Sequence, residues 1–202
     1  MSNTAAGRAS ASRERLANAA TKAFAERGFH ATTTRDIAAA AGMSPAAVYV
    51  HHSSKEELLH SISERGHEVS LQLVRDAIAS SSDPRDQIAE AIRVMSQNHA
   101  EHHVVSRVVN YELEALSPEH HEQILGLRQQ ISAALQEVVD RGVASGAFTT
   151  PQPRMAANAL LSLAVDVARW YHEGGSWTPA DVGEFNADAA LRIVGAQPTY
   201  TP

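Results

Sequence analysis

The chain has 202 residues, 44% hydrophobic and 20% charged, and carries a formal net charge of -6. This apolar content predicts a globular protein of one compact domain or two small ones. The absence of cysteine excludes a disulfide framework, a thiolate zinc site and a cysteine nucleophile. The N-terminus lacks the apolar run of a signal peptide, so we expect a cytoplasmic protein.

The charge is unevenly distributed along the chain. Residues 1–60 contain seven lysine and arginine residues against five aspartate and glutamate residues, and the remaining residues contain ten against eighteen. The N-terminal part therefore carries about +2 and the rest about -8. A basic end on an acidic body orients a protein toward a polyanion.

The N-terminal residues 1–11 are small and polar and show no apolar periodicity. They predict a flexible arm that carries Arg8, with Arg13 and Arg15 at the start of the following helix. Such an arm could reach a DNA minor groove, or it could be a disordered tail without a role. A first helix is expected from about Ser12 to Arg27, because apolar residues repeat there at helical spacing before Gly28.

The segment Thr32–Leu59 predicts two short helices joined by a glycine turn and followed at once by a third. Thr33 and Asp36 are spaced as in a capping box, so the first short helix should begin there. Gly42 supplies the left-handed conformation that ends this helix. Ser44–Pro45 then provides a cap and a first-turn proline for the next one.

The second short helix, Pro45 to about His51, has small or flat side chains on its outer face. This is typical of a recognition helix, whose side chains must enter the major groove without steric conflict. The next helix has its own capping box, formed by Ser54 and Glu57. The outward residues of the short helix are Ala46, Ala47, Tyr49 and Val50.

These residues carry a resemblance to a known family. The order Ile37-Ala38, Ala41-Gly42-Met43-Ser44, Val48-Tyr49, His51 and Ser54-Lys55-Glu56-Glu57-Leu58 resembles the DNA-binding domain of TetR-family transcriptional regulators. It departs from that pattern at Val50 and His52, where the family usually has aromatic residues. The resemblance implies a DNA-binding surface of Thr33, Ser44, Pro45, Ala46, Ala47, Tyr49, Val50, His51 and Lys55.

Within that surface, the resemblance implies two kinds of contact. Phosphate contacts set the register of a protein on the duplex, and contacts with base edges set its sequence preference. The phosphate contacts would come from Thr33, Tyr49, His51 and Lys55. The base-edge contacts would come from Ala46, Ala47 and Val50.

Beyond Leu59 the apolar residues repeat at helical spacing, and no stretch alternates as a half-buried strand does. We therefore expect an all-α fold of about nine helices. It would comprise a helix-turn-helix domain over residues 12–60, a second domain over residues 61–197 and a tail over residues 198–202. By the resemblance, the second domain binds a small-molecule effector and dimerises.

The last two predicted helices, Pro153 to about His172 and Thr178 to about Gly195, are apolar over more than one stripe. Such helices either form the centre of a core or meet another subunit. The resemblance favours the subunit contact, and hence a homodimer. Two heads related by a two-fold axis would read a palindromic operator.

The resemblance also implies a ligand chamber in the second domain. The segment Ala168–Pro179 resembles regulators of lipid and steroid catabolism that respond to acyl-coenzyme A, which implies an amphipathic ligand with an anionic end. An arginine would be a suitable partner for such a ligand. The candidate lining residues are Met95, His99, His103, Asn110, Arg128, Asp166, Arg169 and Trp170.

Each of these candidates has a simpler interpretation. Met95 and Trp170 are favoured as core residues, because such side chains at helical spacing are ordinary interior residues. The arginines among them could equally form surface or interface salt bridges. His99 and His103 have a spacing that can chelate a metal, but solvated or core-satisfied histidines are favoured, with a pH-sensitive pocket as the minority alternative.

No phosphate-binding loop, nucleophile elbow or dinucleotide fingerprint is present in the sequence, and no catalytic constellation is found. We therefore expect neither an enzyme nor a cofactor or metal site. The expected function is a repressor that leaves its operator when a ligand binds, and activation remains an alternative. A helical enzyme or metal protein and a ligand carrier without DNA binding are the two other classes left open.

Overall fold

The structure is a computed structural model that describes residues 3–196. The described residues form ten α-helices and one 3-10 turn and contain no β-strand. The expected all-α fold is therefore confirmed. The elements are α1 (Asn3–Arg27), α2 (Thr34–Ala40), α3 (Pro45–His51), α4 (Lys55–Ala79), α5 (Pro84–Glu101), α6 (His103–Tyr111), the 3-10 turn (Leu113–Ala115), α7 (Pro118–Ala144), α8 (Pro153–Val165), α9 (Val167–Trp170) and α10 (Pro179–Ile193).

The first of two compact units comprises the chain up to Gly66 and Val104–Ile124. Within it, α1 packs against α2 and α2 against α3. Leu16 and Phe24 are eight residues apart on α1, so both lie on its inner face, and both are buried. Val48 is the buried anchor of α3. The three-helix head expected from the sequence is present.

Helix α1 begins earlier than expected. It already includes Asn3, whereas the sequence pattern predicts a start at Ser12 and a flexible arm over residues 1–11. The structure thus differs from the predicted arm over residues 3–11. Alanine is the best helix former, the segment contains no proline, and extending an existing helix requires no new nucleation.

The second unit comprises His67–His103 and the chain from Leu125 onward. Its core is built from five helices, α4, α5, α7, α8 and α10. Ile92, Leu135 and Leu160 have no exposed surface. Each such side chain contributes roughly 2 kcal/mol through its removal from water.

One buried polar side chain bridges the turn between α4 and α5 through hydrogen bonds. Gln87 donates its side-chain amide to the carbonyl oxygens of Ile78 and Ser81, at 2.8 and 2.7 Å. Its own amide oxygen accepts from Arg141 Nη2 on α7, at 2.9 Å. All the hydrogen-bonding atoms of this buried amide are therefore satisfied by the chain.

The predicted boundaries differ from the structure at two further places. Helices α4 and α7 contribute residues to both units, so the first unit is not confined to residues 12–60. The predicted helix over Pro153–His172 is divided at Asp166 into α8 and α9. The expected tail, residues 198–202, lies outside the described residues. Within residues 3–196, no helix combines the length and the apolar character that crossing a membrane requires.

Candidate nucleic-acid interface

The start of α2 is held by a reciprocal capping box. The Asp36 backbone N–H donates to Thr33 Oγ1 at 3.2 Å, and the Thr33 backbone N–H donates to Asp36 Oδ2 at 3.0 Å. The hydrogen bonds from the Thr33 hydroxyl and backbone hold the pKa of Asp36 below its ordinary value. The predicted cap is confirmed. The Asp36 carboxylate also accepts a hydrogen bond from the Thr33 hydroxyl, at 2.7 Å. A DNA phosphate that binds this hydroxyl would therefore compete with Asp36.

The turn between α2 and α3 depends on Gly42. This residue has φ +66°, a left-handed conformation that side chains with a Cβ rarely adopt. The next N–H, that of Met43, donates to the Ala38 carbonyl at 2.8 Å and closes the end of α2. Ser44 is the N-cap residue of α3, but its side chain makes no capping hydrogen bond. The expectation that the Ser44 side chain caps α3 is corrected: the Ala47 backbone N–H, which such a cap could accept, donates to the Ser44 carbonyl at 2.9 Å instead, and Ser44 is exposed.

Helix α3 is anchored by one residue and presents its others outward. Val48 is fully buried, whereas Tyr49 is 57% exposed and Val50 is 78% exposed. Ala46 is exposed and Ala47 is half-buried. Two adjacent large side chains, Tyr49 and Val50, are thus left accessible to a partner. The side chains predicted to read base edges therefore lie on the accessible face of α3.

Tyr49 is oriented by a residue that sequence reasoning did not single out. Its hydroxyl lies 3.3 Å from Thr34 Oγ1, in the first turn of α2. The two hydroxyls lie fifteen residues apart in the chain and on different helices. Together they present donors and acceptors of the kind that bind phosphate oxygens. The only sequence signal for Thr34 is its position directly after the predicted cap.

Lys55 is engaged within the protein. Its ammonium group donates to the carbonyl oxygens of Phe29 and Thr32, each at 2.7 Å. It also lies 4.0 Å from the centre of the Phe29 ring, a cation-π distance. Burial lowers the pKa of this ammonium. The side chain predicted to touch phosphate thus joins the loop after α1 to the start of α4.

The capping box predicted for α4 is present in a modified form. The Glu57 backbone N–H donates to Ser54 Oγ at 3.0 Å, as expected. The Glu57 carboxylate, however, accepts from the backbone N–H of Ser53 rather than that of Ser54. Nearby, His51 is half-buried at the end of α3. His52, the C-cap residue, is buried, and this burial lowers its pKa.

The structure places the residues predicted to bind an effector in different surroundings. Met95 is sealed in the core of the second unit, and His99 is buried beside it with Nδ1 2.7 Å from the Met95 carbonyl. Burial holds the pKa of His99 below its ordinary value. Asn110 belongs to the first unit and donates to the Ser106 carbonyl at 2.9 Å. Asn110 thus lies in the first unit, and the other seven candidates lie in the second.

The remaining candidates differ in exposure. Asp166 and Arg169 form an exposed ion pair, with Nε 2.8 Å from Oδ1, and Trp170 is exposed beside Trp177. His103 is half-buried and lies edge-on to Tyr171. Arg128 is half-buried, and its Nη1 atom is buried without a hydrogen-bond partner among the described residues. In residues 3–196, no group of three or more histidine, aspartate or glutamate side chains could hold a metal ion.

Two family models match the chain. Residues 16–62 match the model described as bacterial regulatory proteins, tetR family. Residues 81–194 match the model described as tetracyclin repressor-like, C-terminal domain. The first range contains α2, α3 and the start of α4, and the second contains the helices of the apolar core from α5 onward.

Individual regulatory proteins are also similar to this chain over most of its length. The HTH-type transcriptional repressor KstR2 of Mycobacterium tuberculosis (strain H37Rv) is 30% identical over 186 residues, which cover 89% of this chain and 90% of that protein. A crystal structure of a tetR-family regulatory protein from Rhodococcus RHA1 matches with a TM-score of 0.87 and 34% identity, over 93% of this chain and 98% of that one. AibR, crystallised with isovaleryl coenzyme A and operator DNA, shares the fold at a TM-score of 0.81 and 18% identity, over 92% of this chain and 100% of that one.

Proposed function

Because this chain belongs to the tetR family of bacterial regulatory proteins, which are DNA-binding regulators and not enzymes, we propose that it is a homodimeric repressor of transcription. It binds a palindromic operator through α3 and leaves the operator when a small molecule binds its second unit. Bacterial chromosomal DNA lies in the cytoplasm, so the protein acts there. The repressor role is supported by KstR2, which is itself a repressor.

The observation that most supports DNA binding is that α3 has one buried residue, which anchors it, and an exposed outer face. Val48 fixes the helix to the head, while Ala46, Tyr49 and Val50 are left accessible. A short helix held in this way can enter the major groove, which is wide enough for one helix. The exposed face of α3 would fit the groove and make apolar contacts with bases. The hydroxyls of Thr34 and Tyr49 would contact phosphates.

The experiment that tests DNA binding is selection of duplexes from a random library by the purified protein. We expect an enriched sequence with two-fold symmetry, because two heads related by a two-fold axis read equivalent half-sites. Binding to the enriched duplex should weaken steeply as salt rises, because bound phosphates release counterions. Failure to enrich any sequence, together with binding that is insensitive to salt, would exclude the proposed function.

Dimerisation is assigned to the outer faces of α8 and α10. Met155 on α8 is 66% exposed and Phe185 on α10 is 67% exposed, and Ile193 is also exposed. Exposed large apolar side chains on the last two long helices are a suitable centre for a subunit interface. A two-fold axis through these helices would bring the same residues of both copies together.

The effector is proposed to be amphipathic with an anionic end, such as an acyl-coenzyme A. Arg128 supports this, because a buried guanidinium nitrogen without a partner gains a charge-assisted hydrogen bond when an anion arrives. Effector binding would favour a conformation in which the two recognition helices no longer match successive major grooves. The coupling between the two sites in such regulators is typically about 1 to 3 kcal/mol.

The effector class can be tested by thermal unfolding with octanoyl-coenzyme A and with coenzyme A alone. A ligand that binds only the folded state raises the unfolding midpoint. We expect octanoyl-coenzyme A to raise it and to release the selected duplex, and Arg128→Gln to reduce both effects. A midpoint unchanged by either compound would remove acyl-coenzyme A from consideration and leave DNA binding untouched.

A further inference from the structure

A carboxylate at the start of α4 holds the start of α7. Glu56, in the first turn of α4, accepts from the Ser117 backbone N–H at 2.8 Å. The same carboxylate lies 2.8 Å and 3.0 Å, through its two oxygens, from His120 Nδ1. Residues Glu112–Ser117, which include the 3-10 turn between α6 and α7, are called the connector below. Glu56 therefore binds the end of the connector and the first turn of α7 together.

A histidine one turn further along α4 completes the contact. The ring of His60 lies parallel to the ring of His120, with centroids 3.8 Å apart and an interplanar angle of 6°. His60 is buried, and its Nε2 atom has no hydrogen-bond partner among the described residues. Stacking of two rings at this distance depends closely on their relative position. A small shift of α7 against α4 would therefore break the stack.

The charge of Glu56 is favoured by this arrangement. Burial alone would raise the pKa of the carboxyl, but the hydrogen bonds from Ser117 and His120 and the nearby His60 outweigh it, and the pKa lies below its ordinary value. Glu56 is thus a carboxylate at neutral pH, and its hydrogen bonds from Ser117 and His120 are charge-assisted. Charge-assisted bonds of this kind are stronger than neutral ones, so Glu56 is the main polar link at this contact.

The first turn of α4 also lies close in the chain to the recognition helix α3. Only three residues separate the end of α3 at His51 from Lys55, and Lys55 binds the Phe29 and Thr32 carbonyls of the loop before α2. The connector reaches that loop too, because Glu112 accepts from the Phe29 backbone N–H at 3.4 Å. The connector is therefore bonded to the loop before α2 and to the first turn of α4, which only three residues separate from the end of α3.

We infer that Glu56 is a positioning residue for DNA recognition: through its bonds to Ser117 and His120, the connector sets the orientation of α3. This inference rests on the proposed function. It states that the contact of Glu56 with Ser117 and His120 controls how α3 is oriented for DNA binding. When the contact is closed, α3 is held in the orientation that reads the operator. When it is open, α3 still binds DNA but loses its preference for the operator.

Linkage makes this inference testable without knowledge of the effector. If the closed contact favours operator binding, then operator binding must favour the closed contact by the same factor. Exchange of the Ser117 amide hydrogen reports the contact directly, because this N–H is the one that Glu56 accepts. The duplex obtained by selection with the wild-type protein is the probe, and a scrambled duplex of the same length is its control.

The first experiment compares the affinities of Glu56→Ala, Glu56→Gln and Glu119→Ala for both duplexes. Glu119 is exposed and lies in the first turn of α7, next to His120, so its variant removes the same charge from the same region. We expect Glu56→Ala to weaken binding to the selected duplex roughly tenfold and to leave the scrambled duplex nearly unchanged. Glu56→Gln, which retains an acceptor oxygen but not the charge, should recover only part of the loss, and Glu119→Ala should behave as wild type.

The second experiment measures hydrogen exchange of the wild-type segment 112–121 with and without the selected duplex. We expect the duplex to slow exchange at Ser117, and we expect this slowing to be absent in Glu56→Ala. A purely structural role would lower the thermal midpoint of Glu56→Ala, and DNA would then slow exchange at Ser117 no more than at the other amides of the first unit, because any ligand of the folded state suppresses unfolding. If Glu56→Ala does not fold, the Gln variant and the wild-type exchange data still decide the question.

Two results would overturn the inference: equal losses of affinity on both duplexes for the Glu56 variants, or Ser117 exchange in the wild type that is unaffected by saturating DNA. Both results are distinct from failure of the proposed function, in which the wild-type protein selects no duplex at all.

Discussion

Tyr49 Oη and Thr34 Oγ1 lie 3.3 Å apart, which joins the exposed face of α3 to the first turn of α2. The bond holds the tyrosine side chain across the surface that we propose meets the DNA backbone. Because Tyr49 is more than half exposed, the bond adds little to the stability of the fold. Its expected effect is on DNA binding.

Replacing Tyr49 with phenylalanine should weaken binding to selected and scrambled duplexes alike, by about fivefold, which corresponds to one hydrogen bond of about 1 kcal/mol. The free energy of unfolding should change by less than about 0.5 kcal/mol, as for most exposed positions. Fluorescence anisotropy and urea unfolding provide the two measurements. Full affinity in the phenylalanine variant would remove the hydroxyl from the phosphate contacts.

Val50→Arg should change sequence preference rather than overall affinity. The side chain is the most exposed large apolar group on α3, and a base-edge contact contributes roughly 1 to 3 kcal/mol of discrimination. We therefore expect the ratio of the two duplex affinities to fall about tenfold. Val69→Arg, at an exposed valine of α4 in the second unit, adds the same charge elsewhere and serves as the control. Equal losses on both duplexes would argue against a base contact.

Lys55→Met should destabilise the first unit. It removes two hydrogen bonds from a charged donor to the carbonyls of Phe29 and Thr32, and a bond of this kind contributes roughly 1.5 to 3 kcal/mol when buried and less at a half-buried side chain such as Lys55. We expect the free energy of unfolding to fall by about 2 kcal/mol. Lys22→Met, at an exposed lysine of α1, should leave it nearly unchanged. An unaltered stability for Lys55→Met, with weaker DNA binding, would instead favour the phosphate contact predicted from the sequence.

His99 should make stability depend on pH. Burial lowers its pKa in the folded protein, so the unfolded chain binds a proton first as the pH falls below about 6.5. The free energy of unfolding is therefore highest above that pH and decreases toward the lower pKa of the folded state, by at most about 1.4 kcal/mol per pH unit. Urea unfolding at about pH 7.5 and about pH 5.5 measures the difference.

His99→Leu should reduce this difference, whereas His30→Leu, at an exposed histidine, should leave it as in the wild type. His52 also has a lowered pKa, so part of the pH dependence should remain in the His99 variant. An identical pH dependence for His99→Leu and the wild type would show that burial does not lower the pKa of His99.

Phe185→Lys should separate the proposed dimer. A charge in the centre of an apolar interface must be desolvated on association, which strongly disfavours binding. Light scattering at micromolar concentration should give the mass of two chains for the wild type and of one chain for the variant. Leu125→Lys, at a partly exposed leucine of α7, should remain dimeric. A wild-type mass of one chain would contradict the proposed homodimer.

The parts of the fold that depend on neighbouring residues could be predicted from the sequence. The capping box of Thr33 and Asp36, the proline start of α3 and the cap of α10 at Thr178 involve groups within three residues of each other. Helical periodicity likewise identifies the core residues, because it depends only on spacing. The sequence pattern does not indicate the start of α1, because its small residues form no apolar stripe, although the alanines among them favour a helix.

The contacts that define the candidate site could not be predicted in this way. Glu56 and His120 are 64 residues apart, and Lys55 binds carbonyls 23 and 26 residues before it. No local pattern indicates which distant group a charged side chain will meet. A polar group on an apolar face is common to a core histidine such as His99 and to a surface ion pair such as Asp166 with Arg169, so this pattern does not identify an effector residue.

The Gln87 amide also has a consequence for the corner between α4 and α5. A serine-rich turn of this kind would ordinarily open on its own and offer its backbone to a protease. Here two of its carbonyl oxygens are already bound by the amide, which is held in turn by Arg141. The corner therefore opens only when these three bonds are lost together, and trypsin cleavage after Arg85 should follow cooperative unfolding of the second unit rather than local fraying.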